Sequence, residues 1–212
     1  MASARRLALA LVLAAGSAAA AQEWVPAQPW ANPRPESEWT VAFQTVLGGC
    51  WQWQGPGSRN GIAPEFDLLV IRKQVAVGPF LAAGGSDEQD GFWLGLAAGW
   101  SRRLNEWLRL DLLAEGGAHT ITIESTYAYE ASGSATFPFL GVRAGLHLTG
   151  DVAQNPALLF ASRAGAGLQV AARTDLGRET VQPGSPPGAP PMAAVSVGGQ
   201  ILTLGLSVVL EW

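Results

Sequence analysis

The side chains able to do chemistry in this sequence are two histidines, one cysteine and a set of charges at alternate positions. Arg109, Asp111 and Glu115 share parity with His119, and Arg143 shares parity with His147. Arg163 shares parity with Gln169. Hydrolysis through a nucleophile would need a serine held against one of the histidines. His119 and His147 fall on polar parity and would lie near opposite ends of a barrel, and neither makes an obvious triad with a nearby serine, so no catalytic set is expected. A metal centre is not expected either. Cys50, His119 and His147 have no close spacing among them, and no Cys-x-x-Cys occurs. Gly48-Gly49 and Gly165-Ala166-Gly167 carry no phosphate-loop pattern, and no cofactor is expected. The remaining chemistry is that of opposite charges placed to pair with one another.

The elements that position these charges alternate with a period of two. Over Leu202–Trp212 the even positions are Leu202, Leu204, Leu206, Val208, Leu210 and Trp212, with mostly small or polar residues between them. Leu108, Leu110 and Leu112 alternate with Arg109 and Asp111, and Leu140, Val142, Leu146 and Leu148 alternate with Arg143 and His147. Leu158, Phe160, Leu168 and Val170 alternate with Arg163 and Gln169. A helix would spread these charges over a stripe of period 3.6. Further segments alternate around Trp39–Leu47, Phe66–Val70 and Phe92–Trp100, whereas Val75–Ala83 shows no clear face. The spacing predicts about eight strands, near 39–53, 65–73, 75–84, 91–102, 107–121, 136–149, 157–171 and 200–212.

Alternation does not say which face meets which medium. In a water-soluble barrel the apolar face points inward, whereas in a membrane barrel it meets lipid and the polar face lines the interior. Tight connections are expected at 72–74, 101–106 and 150–155, and longer ones at 54–64, 122–135 and 172–199, the last holding the Pro-rich run 182–191. The connection at 85–90 is short. Short turns on one side and long loops on the other is the habit of outer-membrane barrels. The aromatics divide into two sets. Trp39, Trp100, Trp107 and Trp212 would mark one rim, and Trp51, Trp53, Phe66, Phe92, Tyr127, Tyr129 and Phe137 the other, as interfacial belts require.

Composition points the same way. Only 14% of the 212 residues are charged, against about 25% in ordinary soluble domains, yet no stretch after residue 21 is long and apolar enough for a membrane helix. Residues 1–21 read as a cleavable signal peptide, with Arg5 and Arg6 before an apolar run from Leu7 to Gly16 and small residues to Ala21. Their removal leaves 11 basic and 17 acidic side chains, a net charge of −6, which argues against nucleic acid as a partner. Residues 22–37 form a Pro/Trp-rich periplasmic leader, and 38–212 the barrel. Cys50, alone in an exported chain, is expected to be a buried bystander.

The signal peptide, the alternating strands and the closing Leu-Ser-Val-Val-Leu-Glu-Trp resemble small outer-membrane barrels of the OmpA/OmpX type. The resemblance is one of pattern over 38–212. It implies an all-β, up-and-down antiparallel transmembrane barrel in the outer membrane. It also implies that Leu206, Val208, Leu210 and Trp212 form the insertion signal read by the barrel-assembly machinery. Inside such a barrel Arg109, Asp111, Glu115, Arg143, His147 and Arg163 are expected to form a polar cluster, because an eight-stranded interior holds little more than its own side chains. A loop symmetric about Tyr129 would set Glu115 opposite Arg143 and Asp111 opposite His147. A tight turn at Ala153 would bring Arg163 beside Arg143. The expected role is structural or surface-interacting and not enzymatic, with outer-membrane lipid as the surrounding partner and any surface partner left open. The alternatives are a narrow passive channel and an exported soluble barrel with an apolar ligand inside. The last requires Leu204, Leu206 and Val208 to face inward.

Overall fold

The computed structural model describes residues 39–54, 57–86, 89–123, 133–152, 161–181 and 194–212. The signal segment 1–21, the leader 22–37, Tyr127, Tyr129 and the run 182–191 lie outside the described residues, as does the side chain of Trp53. Eight strands close into an antiparallel up-and-down barrel: β1 (Trp39–Gln54), β2 (Gly57–Arg72), β3 (Val75–Ser86), β4 (Gln89–Arg103), β5 (Leu108–Ile123), β6 (Gly133–Asp151), β7 (Arg163–Asp175) and β10 (Gln200–Glu211). Each pairs with its sequence neighbour, and β10 closes the ring on β1, from Ala42 opposite Glu211 to Trp53 opposite Gln200. Val41 and Trp212 extend that seam by donating to each other's carbonyls, at 3.3 and 3.0 Å. Two short strands, β8 (Glu179–Val181) and β9 (Val195–Val197), form a separate hairpin between β7 and β10.

The apolar faces look outward. Leu204, Leu206, Leu140, Val142, Leu94 and Leu96 are all exposed, Leu206 to 69%, while Asp111, Glu115, Arg143 and His147 are buried inside. A soluble barrel with an apolar interior needs the reverse, because each exposed leucine would forfeit roughly 1.5–3 kcal/mol of burial in water. The order of burial along β6 is an almost unbroken alternation over nineteen residues.

β3 explains why Val75–Ala83 showed no face. Its inward residues are Ala76, Gly78, Phe80 and Ala82, so the segment is apolar on both sides and hydropathy contrast vanishes. Gly78 runs so close to the Leu68 carbonyl that a Cβ there would collide with it. The β2–β3 ladder skips Leu68 and Leu69 at that level, where Pro79 has no N–H to give. The β2–β3 connection is the pair Lys73 and Gln74, both at positive φ (47° and 73°), the twist-matched form of a two-residue hairpin. At the next turn on this rim Asn105 Oδ1 accepts from the amides of Trp107 (3.0 Å) and Leu108 (2.8 Å).

Three connections differ from the sequence expectation. Residues 57–64, expected in a loop, belong to β2 and pair with β1 down to Gln54 opposite Gly57. The polar Ser58-Arg59-Asn60 hides this, because the hydrogen-bond ladder runs on past the apolar band. The connection at 150–155 is not tight: β6 ends at Asp151 and β7 begins at Arg163. β7 in turn runs on to Asp175, so 172–175 are strand and not loop. With the other connections at 55–56, 87–88, 124–132 and 176–199, short turns are not confined to one end.

Two aromatic assignments change as well. Phe137 points inward, packed with Ile121, Ile123, Ala135, Val181 and Val197 beneath the β8–β9 hairpin. Phe66 sits opposite Thr45 and Leu81, partway down the wall and not at a rim. Trp39, Trp107 and Trp212 are exposed at the end expected for them, and the Trp100 indole there donates to Gln74 Oε1 at 3.0 Å.

Candidate functional site

The interior has two unlike halves. Small inward residues on β3 and β4, such as Ala76, Ala82, Ala97 and Gly95, leave space on that wall. Phe80 fills part of it, edge-on to Phe139 with ring centroids 6.0 Å apart. Cys50 is buried in the same apolar cluster. The opposite wall, β5 to β7 with β10, sends long polar side chains across the gap.

At mid-height these side chains meet two carboxylates from β2. Arg143 Nη1 donates to Asp67 Oδ1 at 2.6 Å and also to Glu65, while its Nε lies 3.2 Å from Glu115 Oε1. Arg173 bridges Glu65 and Glu115, with Nη2 to Glu65 Oε2 at 2.5 Å and Nε to Glu115 Oε2 at 2.6 Å. Gln169 Nε2 donates to Glu65 Oε1 at 2.7 Å. Both guanidinium carbons lie over Phe80, Arg143 at 5.7 Å and Arg173 at 5.0 Å from the ring centre. This tier joins β2, β5, β6 and β7 with three carboxylates and two guanidiniums, all buried. Pairing of this kind is what a poorly solvated interior requires, since an isolated charge there costs several kcal/mol.

A second tier lies toward the Trp212 end. Arg109 grips Asp111 with two bonds (Nε to Oδ1 3.1 Å, Nη2 to Oδ2 2.7 Å) and reaches Glu211 Oε1 at 2.6 Å. Asp111 also accepts from Ser101 Oγ at 2.6 Å and Gln44 Nε2 at 3.0 Å. Arg103 donates to Glu211 Oε2 at 2.6 Å. His147 Nδ1 lies 3.0 Å from Ser207 Oγ, and its Nε2 lies 3.1 Å from Asp111 Oδ2 without hydrogen-bonding alignment. A serine, a histidine and an aspartate thus do come together, the serine from a strand far away in sequence. The set is no competent triad. The aspartate contact is misaligned, and Ser207 is 1% exposed, so a substrate carbonyl has no approach.

Toward the other end His119 Nδ1 lies 2.8 Å from Asp175 Oδ1, and its ring stacks on Trp93 with centroids 4.1 Å apart. Asp175 Oδ2 accepts from the Gly199 amide at 3.0 Å, and the Asp175 amide donates to the Gly199 carbonyl at 2.9 Å. This clamp fastens the neck of the β8–β9 excursion. Among the described residues no three His, Cys, Asp or Glu side chains are grouped to hold a metal ion.

Of the six residues singled out from the sequence, the structure places Arg109, Asp111, Glu115, Arg143 and His147 inside the barrel, but in a shifted register. Glu115 faces Gly141 and Asp111 faces Gly145 across the β5–β6 ladder. That is two residues from the expected pairing, a slip that preserves which face each side chain takes. The β6–β7 register differs by more. Arg163 stands opposite Asp151, while Arg143 stands opposite Ala171. Arg163 therefore does not join Arg143. It lies at the rim, donating to Asp151 Oδ1 at 2.7 Å and to the Glu106 carbonyl, and its Nε stays 3.7 Å from Glu211. The place foreseen for it is filled by Arg173. Sequence reasoning missed Arg173, Glu65, Asp67 and Glu211. The parity of Glu65 and Asp67 against Phe66 and Leu68, and of Glu211 against Leu210 and Trp212, was the available signal.

A closed barrel with an apolar outer wall and a charged interior is a transmembrane β-barrel of the outer-membrane kind, and its eight strands are those of the small OmpA/OmpX-type fold. No protein-family model and no curated protein matches the chain by sequence. Among solved structures it is similar to the neisserial surface protein A, NspA, at 11% identity and a TM-score of 0.57, covering 83% of this chain and 98% of that one. Ail, the attachment invasion locus protein of Yersinia pestis solved with the heparin analogue sucrose octasulfate, is 13% identical over 83% of this chain and all of its own, with a TM-score of 0.47.

Proposed function

We propose that this protein is a structural, surface-presenting outer-membrane barrel whose lumen is plugged by its own ion pairs. The observation that carries the reading is the mid-height tier. Glu65, Asp67, Glu115, Arg143 and Arg173 connect β2 across the interior to β5, β6 and β7, and each is buried. Water and ions would have to break those bonds to pass. The β8–β9 hairpin, packed on Ile121 and Phe137, adds an apolar cover above it. The role has no catalytic step. Residues 1–21 direct export, 22–37 are a periplasmic leader, and Leu206, Val208, Leu210 and Trp212 serve as the insertion signal for the barrel-assembly machinery. Outward display of Leu206 and Trp212 supports that last assignment. The ends of the barrel opposite Trp212 face the environment.

The test is conductance in a planar lipid bilayer, on protein whose heat-dependent gel mobility shows that it is folded. The expected result is no steady current. Stepwise current from the folded wild-type protein would overturn the plug and favour a narrow passive channel.

A further inference from the structure

We infer that the barrel wall opens sideways between β2 and β3 and admits lipid acyl chains from the bilayer into the apolar half of the interior. The inference deepens the membrane reading above and rests on it. Seven of the eight ladders that close the ring run without a gap from their first pair to their last. The β2–β3 ladder alone is broken, and it is broken twice. Its register is constant, so Pro64 stands level with Ala83 and Pro79 level with Leu68. Both pairs are missing, together with their inward neighbours, Ala63 with Gly84 and Leu69 with Gly78. Pro64 keeps its partner Leu47 on the β1 side, and Pro79 keeps Leu96 on the β4 side. Both prolines therefore turn their missing N–H toward the same seam. For want of that donor proline is ordinarily confined to edge strands. β2 and β3 thus meet like two edges inside a closed ring, in a medium where an unmet backbone group is most costly.

The interior does little to hold that seam. β2 is tied across the lumen through Glu65 and Asp67, and β4 through Ser101 and Arg103. The inward residues of β3 are Ala76, Gly78, Phe80, Ala82 and Gly84, and none of their side chains can make a hydrogen bond. β3 is therefore a leaf hung on its unbroken ladder to β4 and on the turn at Lys73 and Gln74, beside which the three pairs from Val70 to Arg72 are intact. What can enter follows from the lining. Ala63, Leu69, Ala76 and Ala82 border the seam on the inside, and all belong to the apolar cluster. Phe80, whose ring fills part of this half, sits on β3, so the leaf carries its own filler away with it. An ion or a headgroup finds no partner there, whereas an acyl chain exchanges one apolar surface for another.

Cys50, the one cysteine of the chain, is a built-in reporter. It is buried, and its Sγ lies 3.4 Å from where a Cβ on Gly84 would stand, behind the gap at Ala63 and Gly84. The experiment treats the folded full-length protein in phosphatidylcholine vesicles with N-phenylmaleimide, which dissolves in the bilayer, or with a sulfonated maleimide, which does not. Mass spectrometry of the heat-shifted gel band reads the rate of Cys50 modification, each reagent being scaled to its rate with a simple thiol. The apolar reagent is expected to react about tenfold faster or more. Returning a backbone donor with Pro64→Val or Pro79→Val should slow that reaction about fivefold each, the effect of one hydrogen bond of ordinary net strength on the open population. Should one of these variants not fold, the other makes the same test. The rate should be nearly flat in urea below the unfolding transition, as local opening requires. No modification by the apolar reagent, equal rates with the two reagents, indifference to the repairs, or a rate that climbs with urea along the global unfolding curve would overturn the inference. Wild-type protein that neither enters vesicles nor shifts on heating would overturn the membrane reading instead.

Discussion

Replacing Arg173 by Met tests the plug at its most connected point. Arg173 is 2% exposed and makes three bonds, at 2.5, 2.6 and 3.1 Å, to Glu65 and Glu115. Met keeps much of the volume and removes the charge. The tier then holds three carboxylates against Arg143 alone, its formal charge falling from −1 to −2. Breaking a buried pair by deleting one partner costs about 3–5 kcal/mol, because the surviving charge stays desolvated. At an m-value of about 2 kcal/mol/M the urea midpoint should drop by roughly 2 M. Adding Glu115→Gln returns the tier to −1, so the double variant should recover about 1–3 kcal/mol relative to the sum of the single changes. Urea unfolding in lipid vesicles, read by the heat-shifted gel band, measures all four proteins. A single variant within about 1 kcal/mol of wild type, or strict additivity, would refute the claim that these ions are paired across a dry lumen.

Other outcomes follow from the same geometry. Leu206→Arg, midway along β10 on the outer wall, should cost about 2–4 kcal/mol in lipid and cut membrane assembly, as read by the yield of heat-shifted band; a neutral effect would mean that this face is not in the membrane. Gly145→Ala places a methyl group against the His147 ring, which Gly167 crowds from the other side. It should cost about 1–3 kcal/mol in urea, whereas Ser207→Ala, losing one hydrogen bond, should cost about 1 kcal/mol. Asp175→Ala frees the neck at Gly199, and protease cleavage within 176–199 should accelerate about tenfold with the barrel band unchanged. Unaltered cleavage would show that the clamp does not restrain the hairpin.

Much of the fold could be read because lipid and lumen demand opposite chemistry on alternate residues. Leu140 to Leu148 and Leu202 to Trp212 announce both strand and face. The signal fails where that contrast fails. β3 is apolar on both sides, since Phe80 and three small residues fill the lumen there. The first residues of β2, Gly57 to Asn60, include no apolar side chain, so no alternation marks them as strand. Parity survives errors of register, so Asp111, Glu115, Arg143 and His147 go to the interior even though every cross-strand partner was displaced. What parity cannot give is height along the barrel. That depends on connection lengths, and the eleven-residue step between Asp151 and Arg163 moved Arg163 to the rim and Arg173 into the centre. The meeting of Ser207, His147 and Asp111 was hidden for the same reason, being made by residues of three strands.

Glu211 belongs to the strand that joins the two ends of the sheet, and its partners Arg109 and Arg103 lie 102 and 108 positions away. An open sheet of seven strands would hold Arg109 with Asp111 alone and leave Arg103 without this carboxylate. Gln200–Glu211 therefore brings backbone partners for β1 and β7 and, in the same movement, the missing negative charge. Half-zipped forms gain neither in full, which makes sealing of the seam an all-or-none event. Contacts so distant in sequence also form slowly, because the loop entropy must be met before they give any return. The tier toward the Trp212 end thus reports completion: its charges balance only when the ring is whole.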